Sequence, residues 1–184
     1  MRISEIDLII IDNVHNLIEK NDESPVFKFF CDESFVIKQL YAELRNNHLE
    51  NKGFLYYLIT GRMNDEDGLF RTIQKKCAED EEMRRLDLID VYKQFDYATL
   101  LKKVEMTASD FNNIMSLLET NPLPDIVAKH FGLDGYNMRF QTFIGCNSTY
   151  EYWSYPPKGY EHLREITNTV CKYLPEKYRP YLRV

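Results

Sequence analysis

Apolar residues recur at helical spacing near the start of the chain. Ile6, Ile10, Val14 and Leu17 fall on one side of a helix drawn with 3.6 residues per turn. This pattern predicts an amphipathic helix over 5–20. The turn-forming sequence NDESP follows and ends the helix.

Three segments with a less decisive period come next. VFKFF (26–30) is typical of a short strand or a loop, and FLYYLIT (54–60) is a continuous apolar run. Periodicity alone does not decide between a strand and a buried helix for such a run. Between them, Leu40 and Leu44 recur at helical spacing, so the pattern predicts a second helix over about 33–47.

The middle of the chain is rich in charge and has helical spacing. Leu69, Ile73 and Cys77 lie on one side of a predicted long helix, whose solvated part is AEDEEMRR. Thr107-x-x-Asp110 is a capping box, and it predicts a helix over 108–120. The sequence NPLP then ends that helix, because proline cannot continue it.

The period changes late in the chain. PDIVAKHFG predicts a short helix that ends at Gly132. Beyond it, NMRFQTFI and TYEYWSY alternate around the turn signal GCNS, which predicts a β-hairpin of roughly 138–155. A double proline ends the hairpin, and apolar spacing predicts a last helix over about 160–174.

These elements predict an α+β protein that is predominantly helical, with a small antiparallel β element, the hairpin at about 138–155, late in the chain. An isolated hairpin is marginal in water, so we expect it to pack on a helix or to gain a strand from 26–30 or 54–60. The 184 residues suit a single domain. Two lobes are possible within it, a helical one at 1–120 and the hairpin with the C-terminal helix at 125–184.

Charge is distributed unevenly along the chain. The formal net charge is −6, and residues 1–152 hold 17 Lys/Arg against 26 Asp/Glu, whereas 153–184 hold 6 against 3. The acidic body should repel phosphate and suits a basic partner surface, while the basic tail is able to approach phosphate. Solubility alone is the simplest explanation of such an imbalance.

No sequence motif identifies an enzyme, a metal site or a cofactor. The four cysteines are widely spaced without a C-x-x-C pair, and no phosphate-binding glycine loop or nucleophile elbow occurs. Free cysteines fit a reducing cytosol, and the acidic N-terminus is not typical of a signal peptide. We therefore expect a cytoplasmic protein without cofactor, metal or membrane segment. An enzyme with an unrecognised site, such as Cys146, is a further alternative.

Asp12, His15 and Glu19 form the best metal-like pattern, because they lie three and four residues apart on the first predicted helix. Metal-binding helix bundles need a second such motif on another helix. The other histidines have no acid three residues before them. These three side chains are therefore interpreted as part of a solvent-facing helix surface.

The segment TYEYWSYPPKGYEH gathers large amphipathic side chains around the double proline. Tyr and Trp dominate interface hot spots, although aromatic residues are most often simply core. The partner-binding residues that we expect here are Tyr150, Tyr152, Trp153, Tyr155, Lys158 and Tyr160. A second expected contact is an acidic surface that would steer a basic partner, and it consists of Glu79, Asp80, Glu81 and Glu82.

The leading hypothesis is a non-enzymatic protein that binds and inhibits another protein, one with a basic surface or part of a nucleoprotein complex. A small, acidic, Tyr-rich chain without catalytic motifs resembles the general type of phage-encoded inhibitors of nucleic-acid-handling defence enzymes, for example a CRISPR effector nuclease. No family motif carries this resemblance.

The alternative hypothesis is a DNA-binding regulator. Residues 124–143 contain the small residue, glycine and apolar spacing of a helix-turn-helix motif, although the expected recognition helix has one basic residue. Aromatic residues beside basic ones also suit base stacking with phosphate contacts. The nucleic-acid-binding residues in this alternative are Lys129, Arg139, Lys158 and Arg164.

Overall fold

A seven-stranded sheet forms the centre of the protein in the computed structural model. The structure describes residues 5–33, 40–61, 68–121, 125–127, 136–144, 147–153 and 155–176. The strands are β1 Ser24–Glu33, β2 Leu40–Asn47, β3 Lys52–Ile59, β4 Lys102–Glu105, β5 Ile126–Val127, β6 Tyr136–Thr142 and β7 Ser148–Trp153. Their order is β4-β3-β2-β1-β6-β7-β5, with every neighbouring pair antiparallel except β5 and β7.

Within the described residues, six α-helices cover the two faces of this sheet. They are α1 Glu5–Ile18, α2 Leu69–Glu79, α3 Glu81–Arg85, α4 Leu88–Gln94, α5 Ala108–Thr120 and α6 Glu161–Cys171. One hydrophobic core joins α5 and α6 to one sheet face, which we call the α5–α6 face. A second core joins the four helices α1, α2, α3 and α4 to the opposite face, which we call the α1–α4 face. None of these helices is long and apolar enough to cross a bilayer.

The expectation of a small β element late in the chain is wrong. Strands occur from Ser24 onward, and the late hairpin strands β6 and β7 are two members of the large central sheet. β1 pairs with β6, with Phe29 opposite Phe140, so strands from distant parts of the sequence lie side by side. Sequence patterns report local periodicity and do not report such long-range pairing.

The predicted helix over about 33–47 is also wrong where the structure describes it, because β2 occupies its second half. Leu40 and Leu44 do lie on one side, but a period of two places them there as well as a helical period does. They belong to the core on the α5–α6 face, whereas the intervening Tyr41 belongs to the core on the α1–α4 face. β2 is buried on both faces, so its charged residues Glu43 and Arg45 do not mark a solvent-facing side.

Other elements agree with the sequence patterns in part. The predicted helices near 5–20, 108–120 and 160–174 are α1, α5 and α6. The segments 26–30 and 54–60, whose type the sequence did not decide, belong to β1 and β3. The predicted long charged helix is divided at Asp80, whose side chain accepts hydrogen bonds from the first turn of α3. Ile126 and Val127 form a short strand where a helix was expected.

The contact between Gly53 and α5 shows how tightly the core on the α5–α6 face is packed. A Cβ atom added at Gly53 would lie 2.7 Å from Phe111 Cγ and closer still to Cδ2. Phe111 is buried in the core on the α5–α6 face. Glycine at this position therefore allows α5 to approach β3.

We predict that Gly53→Ala lowers the free energy of unfolding by about 1–3 kcal/mol, because the new methyl group overlaps the Phe111 ring. Urea denaturation followed by circular dichroism measures this change. The matched comparison is the same substitution in a Phe111→Leu background, where the smaller side chain should reduce its cost. An equal cost in both backgrounds would contradict the proposed overlap.

Candidate binding surfaces and a buried ionic network

Two of the expected partner-binding tyrosines are core residues. Tyr150 and Tyr152 are each only 2% exposed and belong to the core on the α5–α6 face. The Tyr150 ring packs against Phe140 and against Tyr160, with centroids 6.5 and 5.7 Å apart. A partner cannot contact these two side chains while the core is intact, so the structure corrects this part of the expected surface.

The remaining residues of the expected surface have mixed environments. Tyr155 is 55% exposed, and the Arg164 guanidinium lies 5.4 Å from its ring centroid. Lys158 is exposed and Tyr160 is half-buried. The Trp153 side chain lies outside the described part of the chain. Tyr155 and Lys158 are thus the accessible members, and their contact with a partner stays a prediction.

We predict that Tyr150→Ala lowers the free energy of unfolding by about 3–5 kcal/mol, because it removes a fully buried ring. Tyr155→Ala should change it by less than about 1 kcal/mol, since the ring is largely solvated and its cation–π contact is exposed. Thermal and urea unfolding of the two variants give the comparison. Equal destabilisation by both substitutions would show that the hairpin aromatics have been assigned to the wrong environments.

Two basic residues of the nucleic-acid alternative, Arg139 and Arg164, lie on opposite sides of the sheet. Arg139 alternates with the core residues Met138 and Phe140, so it lies on the α1–α4 face of the sheet. Arg164 belongs to α6, which packs on the opposite face. Lys129 and Cys146 lie outside the described residues, as do residues 124 and 128–135 of the helix-turn-helix candidate. The described ends of that candidate are strands, β5 and β6.

The acidic run lies at the junction of α2 and α3. Glu79 is the last residue of α2, and Asp80 caps α3 by accepting from the Glu82 and Met83 amides. Glu81 forms an exposed ion pair with Arg85, with 2.6 Å between Oε1 and Nη2. Glu79, Glu81 and Glu82 are exposed. The run therefore combines a local structural role at Asp80 with accessible negative charge on both sides of it.

An open groove of about 560 Å³ lies beside this run, between α2, α3 and α4. Its lining is mainly apolar. The lining residues are Phe70, Arg71, Ile73, Gln74, Cys77, Met83, Arg84, Leu86, Leu88, Val91 and Tyr92. Leu88 is 57% exposed and lines this groove. We call this groove, together with the acidic run that lies between its lining residues Cys77 and Met83 in sequence, the α2–α4 groove.

A buried ionic network lies on the α1–α4 face, beneath the second half of α1. The Glu43 side chain is 0% exposed and that of Arg45 is 1% exposed. Glu43 Oε1 accepts from Arg45 Nε at 2.6 Å, while Oε2 accepts from the Tyr41 hydroxyl at 2.5 Å and lies 3.0 Å from His15 Nδ1. Each oxygen of the buried carboxylate therefore has a partner, as a buried charge requires.

Arg45 connects this network to the end of α1. Its Nη2 group donates to Glu19, and its Nη1 group donates to the Glu23 carbonyl oxygen at 2.8 Å. The hydrogen bond from Arg45 lowers the pKa of the Glu19 carboxyl. Burial raises the pKa of the Tyr41 hydroxyl well above its usual value, and the neighbouring Glu43 charge adds to that effect. The network therefore holds α1 and the following turn against β2.

The same residues include a possible metal-ligand set. Ligand atoms of His15, Glu19 and Glu43 lie within 4.8 Å of one another. The sequence pattern paired His15 with Asp12 and Glu19, but it could not identify Glu43, which lies on a strand 28 residues further on. Arg45 donates to both carboxylates, so a cation at this position would have to displace a buried guanidinium. This geometry favours a structural ionic network.

We predict that Glu43→Gln lowers the free energy of unfolding by about 3–5 kcal/mol, because it leaves the buried Arg45 guanidinium with incomplete charge compensation. Glu81→Gln is the matched control, since it removes one partner of an exposed ion pair and should cost no more than about 0.5 kcal/mol. The free energy of unfolding of both variants is measured by urea denaturation. Urea is chosen because guanidinium chloride is a salt and would screen the charges under test. Similar costs for the two variants would contradict the structural role of the network.

Comparisons of the chain with protein-family models, with curated proteins and with solved structures find no match.

Proposed function

We propose that this protein is a non-enzymatic binding protein that acts by occupying a partner protein, and that the α2–α4 groove receives a basic amphipathic helix of that partner. The observation that supports the proposal is an open, mainly apolar groove whose lining residues Cys77 and Met83 flank the exposed acidic run in sequence. Helix recognition in such grooves uses apolar anchors on one side of the bound helix, with charged residues at the edge.

The open shape and the mainly apolar lining of the groove suit a helix. The lining includes Met83, whose flexible side chain adapts well to apolar partner side chains, and the aromatic ring of Phe70. Leu88 extends from the groove into solvent and would be covered on binding. Burial of such an apolar side chain is a favourable term in association.

The exposed acidic run, and not the groove lining, supports a basic partner segment. Glu79 and Glu82 make no ion pair with any residue in the described part of the chain, so their charges are available at the α2–α3 junction. The net negative charge of the body adds a long-range attraction for a basic surface. Arg71 and Arg84 also line the groove, so we expect the partner helix to carry some acidic residues as well.

A basic partner surface is also what nucleic-acid-handling enzymes present to their polyanionic substrates. The proposal therefore retains inhibition of such an enzyme as the biological role, with the acidic protein competing for or distorting a basic surface. Tyr155 and Lys158 are the accessible residues of the C-terminal segment that would extend the contact.

The test begins with capture of partners by the tagged full-length protein from a lysate of the cells that carry the gene, after nuclease treatment. The partner identified by mass spectrometry is then purified, and its affinity is measured by biolayer interferometry. We predict that Leu88→Asp weakens binding by about tenfold or more, because it places a charge in the apolar contact. Leu49→Asp is the matched control, since Leu49 is 95% exposed in the turn between β2 and β3.

Glu79→Gln combined with Glu82→Gln should slow association and reduce its dependence on salt, with a smaller effect on dissociation. Equal affinities of Leu88→Asp and Leu49→Asp would exclude the groove as the contact. Loss of every captured protein upon nuclease treatment would favour the nucleic-acid alternative instead.

A further inference from the structure

A small pocket lies between α1 and the strands β1 and β6, away from the α2–α4 groove. Its volume is about 160 Å³. The lining residues are Leu8, Ile11, Asp12, Lys28, Phe29, Phe30, Tyr41, Arg139 and Gln141. The pocket is separate from the proposed partner surface, because no residue lines both. It therefore needs an explanation of its own.

Two cations meet at the sheet side of this pocket. Lys28 lies directly opposite Gln141 in the β1–β6 register, and Arg139 lies two residues further along β6 on the same face. Side chains in such diagonal cross-strand positions are within reach of one another. Adjacent placement of two cations is unfavourable unless an anion lies between them or near them.

The Lys28 ammonium group has no directly hydrogen-bonded carboxylate among the described residues, although the Asp12 and Glu43 charges partly oppose the lowering of its pKa by burial. Lys28 is half-buried, and in the described part of the chain it makes no hydrogen bond or ion pair within normal distance limits. Its nearest specific contact is the Phe143 ring, with 5.6 Å from Nζ to the centroid. Burial lowers the pKa of Lys28, which reflects the cost of removing its charge from water. A bound anion would offset that cost.

Arg139 is only weakly committed to its neighbour. Its Nε atom lies 3.5 Å from Glu151 Oε1, which is longer than a good charge-assisted hydrogen bond. The guanidinium group has five N–H donors, so several can serve a ligand while this contact remains. The Tyr41 hydroxyl, by contrast, already donates to Glu43.

The helix side of the pocket is mainly apolar. Leu8 is 45% exposed on α1, and Ile11 is half-buried one turn later. Phe30 adds a buried aromatic wall from β1. Asp12 contributes the one carboxylate of the lining, so with Lys28 and Arg139 the net charge of the lining is +1. This balance matches a monoanion better than a multiply charged phosphate.

We propose that this pocket binds a small organic monocarboxylate, whose carboxylate group accepts hydrogen bonds from Lys28 and Arg139 while its apolar body packs against Leu8, Ile11 and Phe30. The volume suits a ligand of about the size of one aromatic ring, because a cavity of about 150 Å³ holds benzene. The ligand class thus follows from the pair of cations, the apolar wall and the size.

The experiment is a titration of the ¹⁵N-labelled full-length protein with sodium benzoate, followed by two-dimensional NMR. We expect saturable shifts of amide signals in α1, β1 and β6. Benzamide, which is a neutral molecule of the same shape, and inorganic phosphate, which lacks an apolar body, should each bind at least about tenfold more weakly.

Lys28→Gln and Arg139→Gln should each weaken benzoate binding by about tenfold, because each removes one charge-assisted contact. Lys102→Gln is the matched control, because it removes the same charge from an exposed position on the edge strand β4. Circular dichroism of each variant checks that it folds, and two independent variants protect the test against misfolding of one.

Three results would overturn the proposal: no saturable shift with benzoate, equal binding of benzamide or phosphate, or an equal loss in Lys102→Gln. The Leu88→Asp variant should bind benzoate normally. A failure of the carboxylate site is therefore distinguishable from a failure of the proposed partner surface.

Discussion

Pairing of β1 with β6 is the constraint on which the other features depend. β1 lies in the middle of the sheet, with β2 on one side and β6 on the other. It therefore joins strands β2, β3 and β4 to the late hairpin of β6 and β7. Its alternate residues then face two different helix layers, with Phe29 in one core and Phe30 in the other. Because both faces are covered, this strand and its neighbours must be largely apolar, and the few charges on them must find partners inside the protein.

The α1–α4 face shows how that requirement is met. Glu43 and Arg45 on β2 are buried, and His15 of α1 and Glu19, the residue directly after α1, complete their contacts. Buried ion pairs are weak evidence for net stability, because desolvation opposes their attraction. Their clearer consequence is geometric, since they fix the register of α1 over the sheet. That register leaves Leu8 and Asp12 beside Lys28 and Arg139, so the ionic network and the small pocket share one structural cause.

The two concave surfaces have different character and suit different ligands. The α2–α4 groove is built from short helices divided by the Asp80 and Asp87 caps, so its residues come from one continuous part of the chain. The small pocket combines α1 with strands more than 100 residues apart in sequence. The acidic run is local, so the sequence identified it. The proximity of Lys28 to Arg139 depends instead on the pairing of β1 with β6.

Sequence by itself determined the elements whose signals are local. The Thr107 cap defines the start of α5, the spacing of Ile6, Ile10 and Val14 defines α1, and alternation around Phe140 indicates β6. Tertiary structure alone decided the rest. Leu40 and Leu44 fit a helix and a strand equally well until both faces of β2 are seen to be buried, and Tyr150 and Tyr152 became core because α6 covers their side of the sheet. His15 contacts Glu43, an acid on a distant strand. The sequence could not identify this contact, because local periodicity carries no information about long-range pairing.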